Sequence, residues 1–460
     1  MNTVEGERPA GFVSYREIGN EDLFGVLKDM ELANLVRGKS SREILLITGI
    51  YAREDGTGDS GVIRDAPQQL LVEVLAKELE KNYSFALFVA ERGTATKEVV
   101  YVLERQGFIR PHMADENDKR TIYMVDMHEP LMFLHNLDTT IKEPFASNPA
   151  VLDAVEKNHK KLQIAMTKLY PGNLVLSLSS GIMYHRLVDR ITALNDVPRE
   201  PLVPRRLGKN MCVPFGKILR GKVVPNTVTK TLHTDKVYEP DLNSFTIEPF
   251  PYYSPLKSQI ETIKSFDRPV ILVDDLVHTA NRLQVLVPQL REDGIPIKKV
   301  VVGVLSGYGR DLMQCLKVPV ESIYSMPNLR QWFVESTLYP FIGGDTVRRE
   351  EMKVAGLQPS INMILPYATP RLSGCSREAL VEFSACCIEN SRDLFQVLEA
   401  EYRKMYAKNL TLSRLSEAVI LPLCPDKGSC MEYDENLAAS VYLENDLETL
   451  WRMKEFLIKG

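Results

Sequence analysis

Residues 270–282 read VILVDDLVHTANR. Four apolar residues run directly into two aspartates and then into a short polar loop. An uninterrupted apolar run is how a strand buried on both faces of a parallel sheet reads. In an open sheet of that kind, ligands bind outside the carboxyl ends of the strands. Asp274 and Asp275 would therefore reach the rim where a ligand sits. The loop LVHTANR feeds a helix, RLQVLVPQLRED, which is expected to stop near Gly294. A helix amino terminus exposes unpaired backbone N–H groups and the positive end of the helix dipole, which makes it a ready anion site. Thr279 adds a hydroxyl donor, and Ala280 keeps the backbone accessible. Two carboxylates beside such a cradle suit the hydroxyls of a sugar, directly or through a magnesium ion and its waters. The plainer alternative is a pair that ends a strand and opens a turn.

The flanking sequence alternates in the same manner. NPAVLDAVEKNHKKLQIAMTKLY (148–170) reads as a helix and NLVLSLS (173–179) as a strand. A small turn, SSGIM, leads to a helix around MYHRLVDRI. A long polar stretch follows MCVPFGKIL. SFTIEPF and KKVVVGVLS read as strands, and SPLKSQIETIK as a helix. Alternation of this kind predicts a parallel sheet flanked by helices.

With these residues in place, the stretch resembles the phosphoribosyl-pyrophosphate (PRPP) motif of the type I phosphoribosyltransferases. In that family four apolar residues precede two acids, and a short Thr/Gly-rich loop holds the ribose 5-phosphate. The resemblance covers residues 148–310. It implies that Asp274 and Asp275 address the ribose hydroxyls and act as the catalytic pair. It implies a phosphate loop of His278, Thr279, Ala280, Asn281 and Arg282. His278 stands where the family has a small hydroxyl residue, Ala280 and Asn281 where Gly-Gly is common, and Arg282 in a usual Thr position. Ser179, Ser180 and Gly181 would form a second loop for pyrophosphate. The segment Arg220–Asp241, with Lys222, Lys230, His233 and Lys236, would be a mobile loop closing over the site. Trp332, Phe333, Tyr339 and Phe341 in residues 331–351 would offer a stacking hood. The implied cofactor is Mg2+, reaching the protein through PRPP and water.

Residues 1–145 hold strands GFVSYREI (11–18), REILLITGIY (42–51) and FALFVAE (85–91). Between them lie an amphipathic helix, PQQLLVEVLAKELEK (67–81), with Asp65 placed as its cap, and a second helix, TKEVVYVLERQGF (96–108), closed at Gly107. This order, with R-x-x-G-x-G in REDGTG (53–58), is similar to the GNAT acetyltransferases. Seven further residues, DSGVIRD, separate the glycines from the helix, so the resemblance is to a degenerate GNAT-like scaffold. The expected fold class is α/β, with three parts. These are a GNAT-like α+β domain (1–145), a phosphoribosyltransferase-like parallel-sheet domain (146–345), and a mainly helical C-terminal region (346–460) to which no chemistry is assigned. Within the last, residues 379–406 would form one long helix or two.

The composition sets the remaining bounds. A length of 460 residues fits several domains. The apolar share of 44% and charged share of 25% are ordinary for a globular protein. A net charge of −5 argues against a general nucleic-acid or anionic-membrane binder. No apolar run approaches the roughly 18 residues of a membrane span, and the first residues show no signal pattern. Seven scattered cysteines without a CxxC pair suggest reduced thiols and a cytoplasmic location. Cys424 and Cys430 remain candidates for half of a metal site. The resemblance implies a small phosphoribosyl substrate as the partner; no membrane partner is expected, and a homo-oligomer is left open. Three functions are compatible with these resemblances: a Mg-dependent phosphoribosyltransferase with a base-like acceptor, a non-catalytic PRPP- or nucleotide-sensing regulator, and a GNAT-type acyltransferase in the first domain.

Overall fold

The computed structural model describes every residue except 1, 6–7, 41, 53–65, 92–94, 112–119, 205, 252, 350–353, 355, 371, 428–431 and 460. The REDGTG motif, Asp65 and Cys430 lie outside the described residues. The chain divides into two compact units, each assembled from separate stretches. The first comprises Met1–Phe133, Gln163–Leu178 and Ser325–Trp332, and the second Leu134–Leu162, Ser179–Tyr324 and Phe333–Gly460.

The first unit is built on a seven-stranded sheet. Its strands are β1 (Asn2–Glu5), β2 (Arg8–Ile18), β3 (Ile44–Ala52), β4 (Phe85–Glu91), β5 (Arg120–His135), β6 (Asn173–Ser179) and β14 (Gln331–Val334). The order is β1-β2-β3-β4-β5-β14, with β6 also paired to β5. β3 and β4 run parallel, joined by α3 (Ala66–Glu78), whereas β2 meets β3 and β4 meets β5 in antiparallel register. α1 (Leu23–Leu27) and α2 (Met30–Lys39) bury Leu23, Leu27, Leu32 and Val36 against Ile18, Ile44, Leu46, Phe85 and Leu87. Capping is local: Asp29 accepts Leu32 N in α2, and Thr96 accepts Val99 N in α4 (Lys97–Arg105). Past α4 the chain turns at Gly107, with φ +89, where a Cβ would lie 2.1 Å from the carbonyl oxygen of Asn173. The C-terminal glycine expected there is required by both the dihedral and the close approach.

In the second unit, five strands form a sheet with β11 (Val270–Val277) at its centre: β13 (Val320–Met326), β12 (Ile297–Ser306), β11, β7 (Met211–Pro214) and β8 (Val228–Thr229). β11 pairs in parallel with β12 on one side and β7 on the other, and β7 with β8. Val270, Ile271, Leu272 and Val273 are all buried, so both faces of β11 are covered, as the apolar run predicts. On one face Val270 and Leu272 join Leu283, Leu286, Val287 and Leu290 of α8 (Asn281–Glu292) and Ile260 and Ile263 of α7 (Leu256–Lys264). Each such side chain contributes about 1.5–3 kcal/mol by leaving water. α6 (Ser180–Leu194) lies against β12, where Met183 approaches Gly303. α9 (Gly307–Cys315) follows β12.

A second five-stranded sheet in this unit has the order β10-β9-β15-β16-β17: β9 (Thr234–Tyr238), β10 (Phe245–Pro249), β15 (Asp345–Val347), β16 (Gln358–Ile361) and β17 (Leu423–Pro425). α10 (Glu335–Leu338), α11 (Arg377–Tyr406) and α12 (Ala439–Lys459) complete the unit. The stretch 379–406 therefore lies in one helix.

Four expectations change. SSGIM is no turn, because Ser179 caps α6 directly and the helix starts at Ser180. NLVLSLS pairs with β5 and stays out of the parallel sheet. The polar segment Arg220–Asp241 is no free loop: it supplies β8 and β9, and Leu232 and Thr234 are wholly buried. Finally, Phe333, Tyr339 and Phe341 are core residues, with Phe341 against Phe395 and Tyr433, so they offer no stacking surface. Among the described residues no helix is long and apolar enough to cross a membrane. Cys212, Cys315, Cys375, Cys386, Cys387 and Cys424 are free of disulfides.

Candidate functional site

β11 extends past the apolar run to Val277, so the two aspartates lie within the strand and in register with β12. Side chains alternate along a strand. Asp274 follows Val270 and Leu272 in the alternation, and the carboxylates of both aspartates reach Gly216. The chain leaving β7 folds beside them: Phe215 N and Gly216 N both donate to Val273 O, at 3.0 and 3.4 Å. Asp275 then accepts from Lys217 N at 2.7 Å and Ile218 N at 3.0 Å. A carboxylate that takes two backbone donors holds a loop in place. Gly216 makes the approach possible, since a Cβ there would lie 2.5 Å from Asp275 Oδ1 and 2.8 Å from Asp274 Oδ1. Gly303 does the same on the other side, with a Cβ position 2.6 Å from Asp275 O and 2.1 Å from Met183 Sδ.

Asp274 is buried and accepts Asp275 N at 2.8 Å. Arg282 Nη1 stands 3.8 Å from its Oδ1. Burial pushes the Asp274 carboxyl up to about 7; Arg282 acts against this and Asp275 adds to it. Lys217 and Arg220 lie on the loop after β7. Burial pulls the Lys217 ammonium down, Asp345 and Asp235 oppose this, and Arg220 and Arg282 add to it. Burial and then Arg282 likewise act against the charge on Arg220, whose guanidinium sits 5.3 Å from the ring centroid of Phe250. Arg220 Nε is buried with no hydrogen-bond partner among the described residues. Lys217 and Arg220 thus lie where burial and the neighbouring Arg282 act against their charge. An anion entering there would offset that repulsion.

The loop after β11 shows how each expected phosphate residue is used. His278 Nδ1 lies 2.9 Å from Ser306 Oγ, the ring is tilted against Tyr308, and burial pulls its pKa down. Asn281 Nδ2 donates to Thr279 Oγ1 at 2.8 Å, and Gln284 donates to the Thr279 carbonyl at 3.1 Å. Ala280 has φ +50, in the left-handed region, and occupies the cap position of α8 without a side-chain cap. The cap residue itself thus offers no acceptor to the first N–H groups of α8. Arg282, in its first turn, points to Asp274.

Ser179, Ser180 and Gly181 belong to α6. Ser179 Oγ accepts from Ile182 N at 3.4 Å. Ser180 is buried, and its hydroxyl has no partner among the described residues. A Cβ at Gly181 would meet only Ser179 Oγ, at 3.6 Å, so no close approach demands glycine here. The bases expected on a closing loop are also committed: Lys222 lies over Tyr184, His233 stacks on Tyr253, and Lys236 sits by Tyr238 and Phe245.

Sequence reading missed Gly216 and Lys217, and took Arg220 only as the start of a closing loop. A signal existed, since MCVPF is an apolar run closed by Gly-Lys, the same strand-then-loop pattern that singled out β11. A second group of ligand type also emerges. His135, His159 and Glu335 bring one donor atom each within 4.8 Å of one another.

No family model matches the chain, and no curated protein sequence matches it. Among solved structures it is similar to a purine phosphoribosyltransferase from Pyrococcus horikoshii Ot3, at 12% identity over 34% of this chain and 87% of that one, with a TM-score of 0.22. A likeness at that level carries no weight in reading the site, which stands on its own geometry.

Proposed function

We propose that the second unit binds PRPP or a related ribose phosphate and transfers the ribose phosphate to a base-like acceptor. One observation carries this reading: Arg282 and Arg220 come up to the acid pair of the central parallel strand, where burial and neighbouring cations act against the charges of Arg220 and Lys217. A doubly anionic phosphate satisfies the cations, and carboxylates beside it accept ribose hydroxyls. The uncapped start of α8 adds backbone donors. The bare backbone at Gly216 leaves the two carboxylates a cradle that any side chain would fill. Those residues fit a magnesium ion held chiefly by PRPP oxygens and waters, because both Asp275 oxygens already take backbone N–H groups. When bound, magnesium supplies charge neutralisation to a departing pyrophosphate.

In this reading Asp275 positions the Lys217 loop. Asp274 orients the ribose and, with its carboxyl near neutrality, holds or gives up a proton there. Lys217 and Arg220 face the charge that develops as the glycosidic bond breaks toward an oxocarbenium-like state. Ser179, Ser180 and Gly181, in the first turn of α6, would take the pyrophosphate end.

A sensing role without transfer is the second reading. His278 bound to Ser306 and a strained Ala280 favour it, since both depart from a mobile glycine loop. The full chain incubated with PRPP, MgCl2 and a panel of bases separates the two. Pyrophosphate release that disappears in Asp274→Asn/Asp275→Asn supports transfer. PRPP binding without release moves the protein to the sensing reading, and no binding removes both. A GNAT-like first unit is a separate proposal, supported by the parallel β3/β4 pair crossed by α3.

A further inference from the structure

Away from the acid pair, β5 ends on His135, α5 (Pro149–Leu169) carries His159, and Glu335 opens α10. The three donor atoms lie within 4.8 Å of one another. His159 Nδ1 is 2.6 Å from Glu335 Oε1, and the two imidazole rings meet edge to face at 4.3 Å between centroids. Glu335 is completely buried. Its Oε1 also accepts from Tyr339 OH at 3.3 Å, but Oε2 has no hydrogen-bond partner among the described residues. A buried carboxylate oxygen left unpaired is costly.

The chain beside each donor is pinned by a buried amide. Asn136, next to His135, accepts from Ser336 N at 2.9 Å and donates to Ser336 Oγ at 2.8 Å; Ser336 is next to Glu335. Asn158, next to His159, exchanges two hydrogen bonds with Asn390, at 2.7 and 3.0 Å. Asn390 also donates to Tyr339 OH at 2.9 Å, which closes the ring of contacts back onto Glu335. Three donors from segments far apart in sequence are thus held by outer contacts, as ligands of a metal centre are.

We propose that His135, His159 and Glu335 bind one divalent transition ion of the zinc class, with a water as fourth ligand. Two imidazoles and a carboxylate form the donor set of three-ligand zinc sites and suit other borderline ions. Zinc bonds of about 2.0–2.1 Å space tetrahedral ligands by roughly 3.4 Å, so the His159–Glu335 contact opens by less than about 1 Å. The incoming ion would take the place of the direct contact between those two groups.

The test uses the full chain after dialysis against EDTA, titrated with ZnCl2 alone and with CoCl2 in parallel. The expected result is one zinc per chain, a rise in Tm on binding, and a visible cobalt spectrum. Glu335→Gln keeps the side-chain volume and should weaken zinc binding by at least about 100-fold. His159→Ala should do the same, and if it fails to fold, Glu335→Gln decides alone. Cys424→Ser/Cys430→Ser should keep the zinc. A wild type that takes no zinc contradicts the proposal, since the cluster is then a buried ion pair. Zinc retained in Glu335→Gln but lost in the cysteine variant overturns it equally.

Discussion

Asp274 and Glu335 are both buried carboxyls whose pKa is pushed up by burial, yet their surroundings differ in kind. Glu335 sits in a closed set of partners: a histidine, a tyrosine and, beyond them, amides bonded to each other. Asp274 sits in an open set of charges: Arg282 at 3.8 Å, Arg220 on the loop after β7, and a helix start whose cap residue has positive φ and no side-chain cap. The first arrangement has its geometry fixed and lacks a partner for one oxygen. In the second, burial and neighbouring cations act against the charges of Lys217 and Arg220, and an anion would offset this. Unspent charge and unspent geometry are two different marks of a ligand site.

The largest effect should come from removing the acid pair. Asp274→Asn/Asp275→Asn should lower PRPP affinity by more than about 100-fold in calorimetry, because a site built to bond hydroxyls loses its acceptors. The variant should leave zinc uptake at His135, His159 and Glu335 unchanged, and coupled loss at both would show that the two regions are not independent. Gly216→Ala comes next. Its Cβ would meet Asp275 Oδ1 at 2.5 Å, so the Lys217 loop must shift. The expected cost is about 1–3 kcal/mol by chemical denaturation, together with weakened PRPP binding.

A pH series probes Asp274 directly. Its folded value of about 7 lies above the roughly 3.9 of an unfolded aspartate. The folded chain then holds the extra proton between those values, so this group's contribution to stability falls as pH rises from about 4 to about 7. The loss is up to about 1.4 kcal/mol per pH unit and is complete above pH 7. Asp274→Asn should flatten that slope and raise Tm at pH 8 more than at pH 4.5. Equal shifts at both pH values would mean the carboxyl titrates normally. The smallest effect belongs to Ala280→Gly. Relief of the left-handed φ gains about 1–2 kcal/mol, and the unfolded chain takes back about 0.4–1. A net stabilisation of roughly 0.5–1 kcal/mol is expected from denaturation midpoints, and a destabilisation would show that Ala280 Cβ packs usefully.

These two regions also differ in how far they could be read from sequence. β11, its acid pair and α8 are contiguous, and an all-apolar run followed by acids states its burial and its edge chemistry at once. The strands at 85–91 and 173–179 and the helices at 148–170 and 256–264 follow from local periodicity in the same way. Pairing partners do not. β6 reads as a parallel-sheet strand by composition but hydrogen-bonds to β5. β9 reads as a polar loop because its partners, β10 and β15, are what bury it. His135, His159 and Glu335 are separated by up to 200 residues, so nothing local marks them. Lys217 and Arg220 were within reach, since the MCVPFGK pattern mirrors VILVDD, but their importance comes from β11 lying beside β7.

The central claim is that the cations and carboxylates at the end of β11 hold an anionic ribose phosphate. Calorimetric titration of the full chain with PRPP plus MgCl2, beside Arg282→Met, tests it most directly. Saturable one-site binding in the wild type, lost or strongly weakened in the variant, is the predicted result. No binding by the wild type, or equal binding by both, would contradict it.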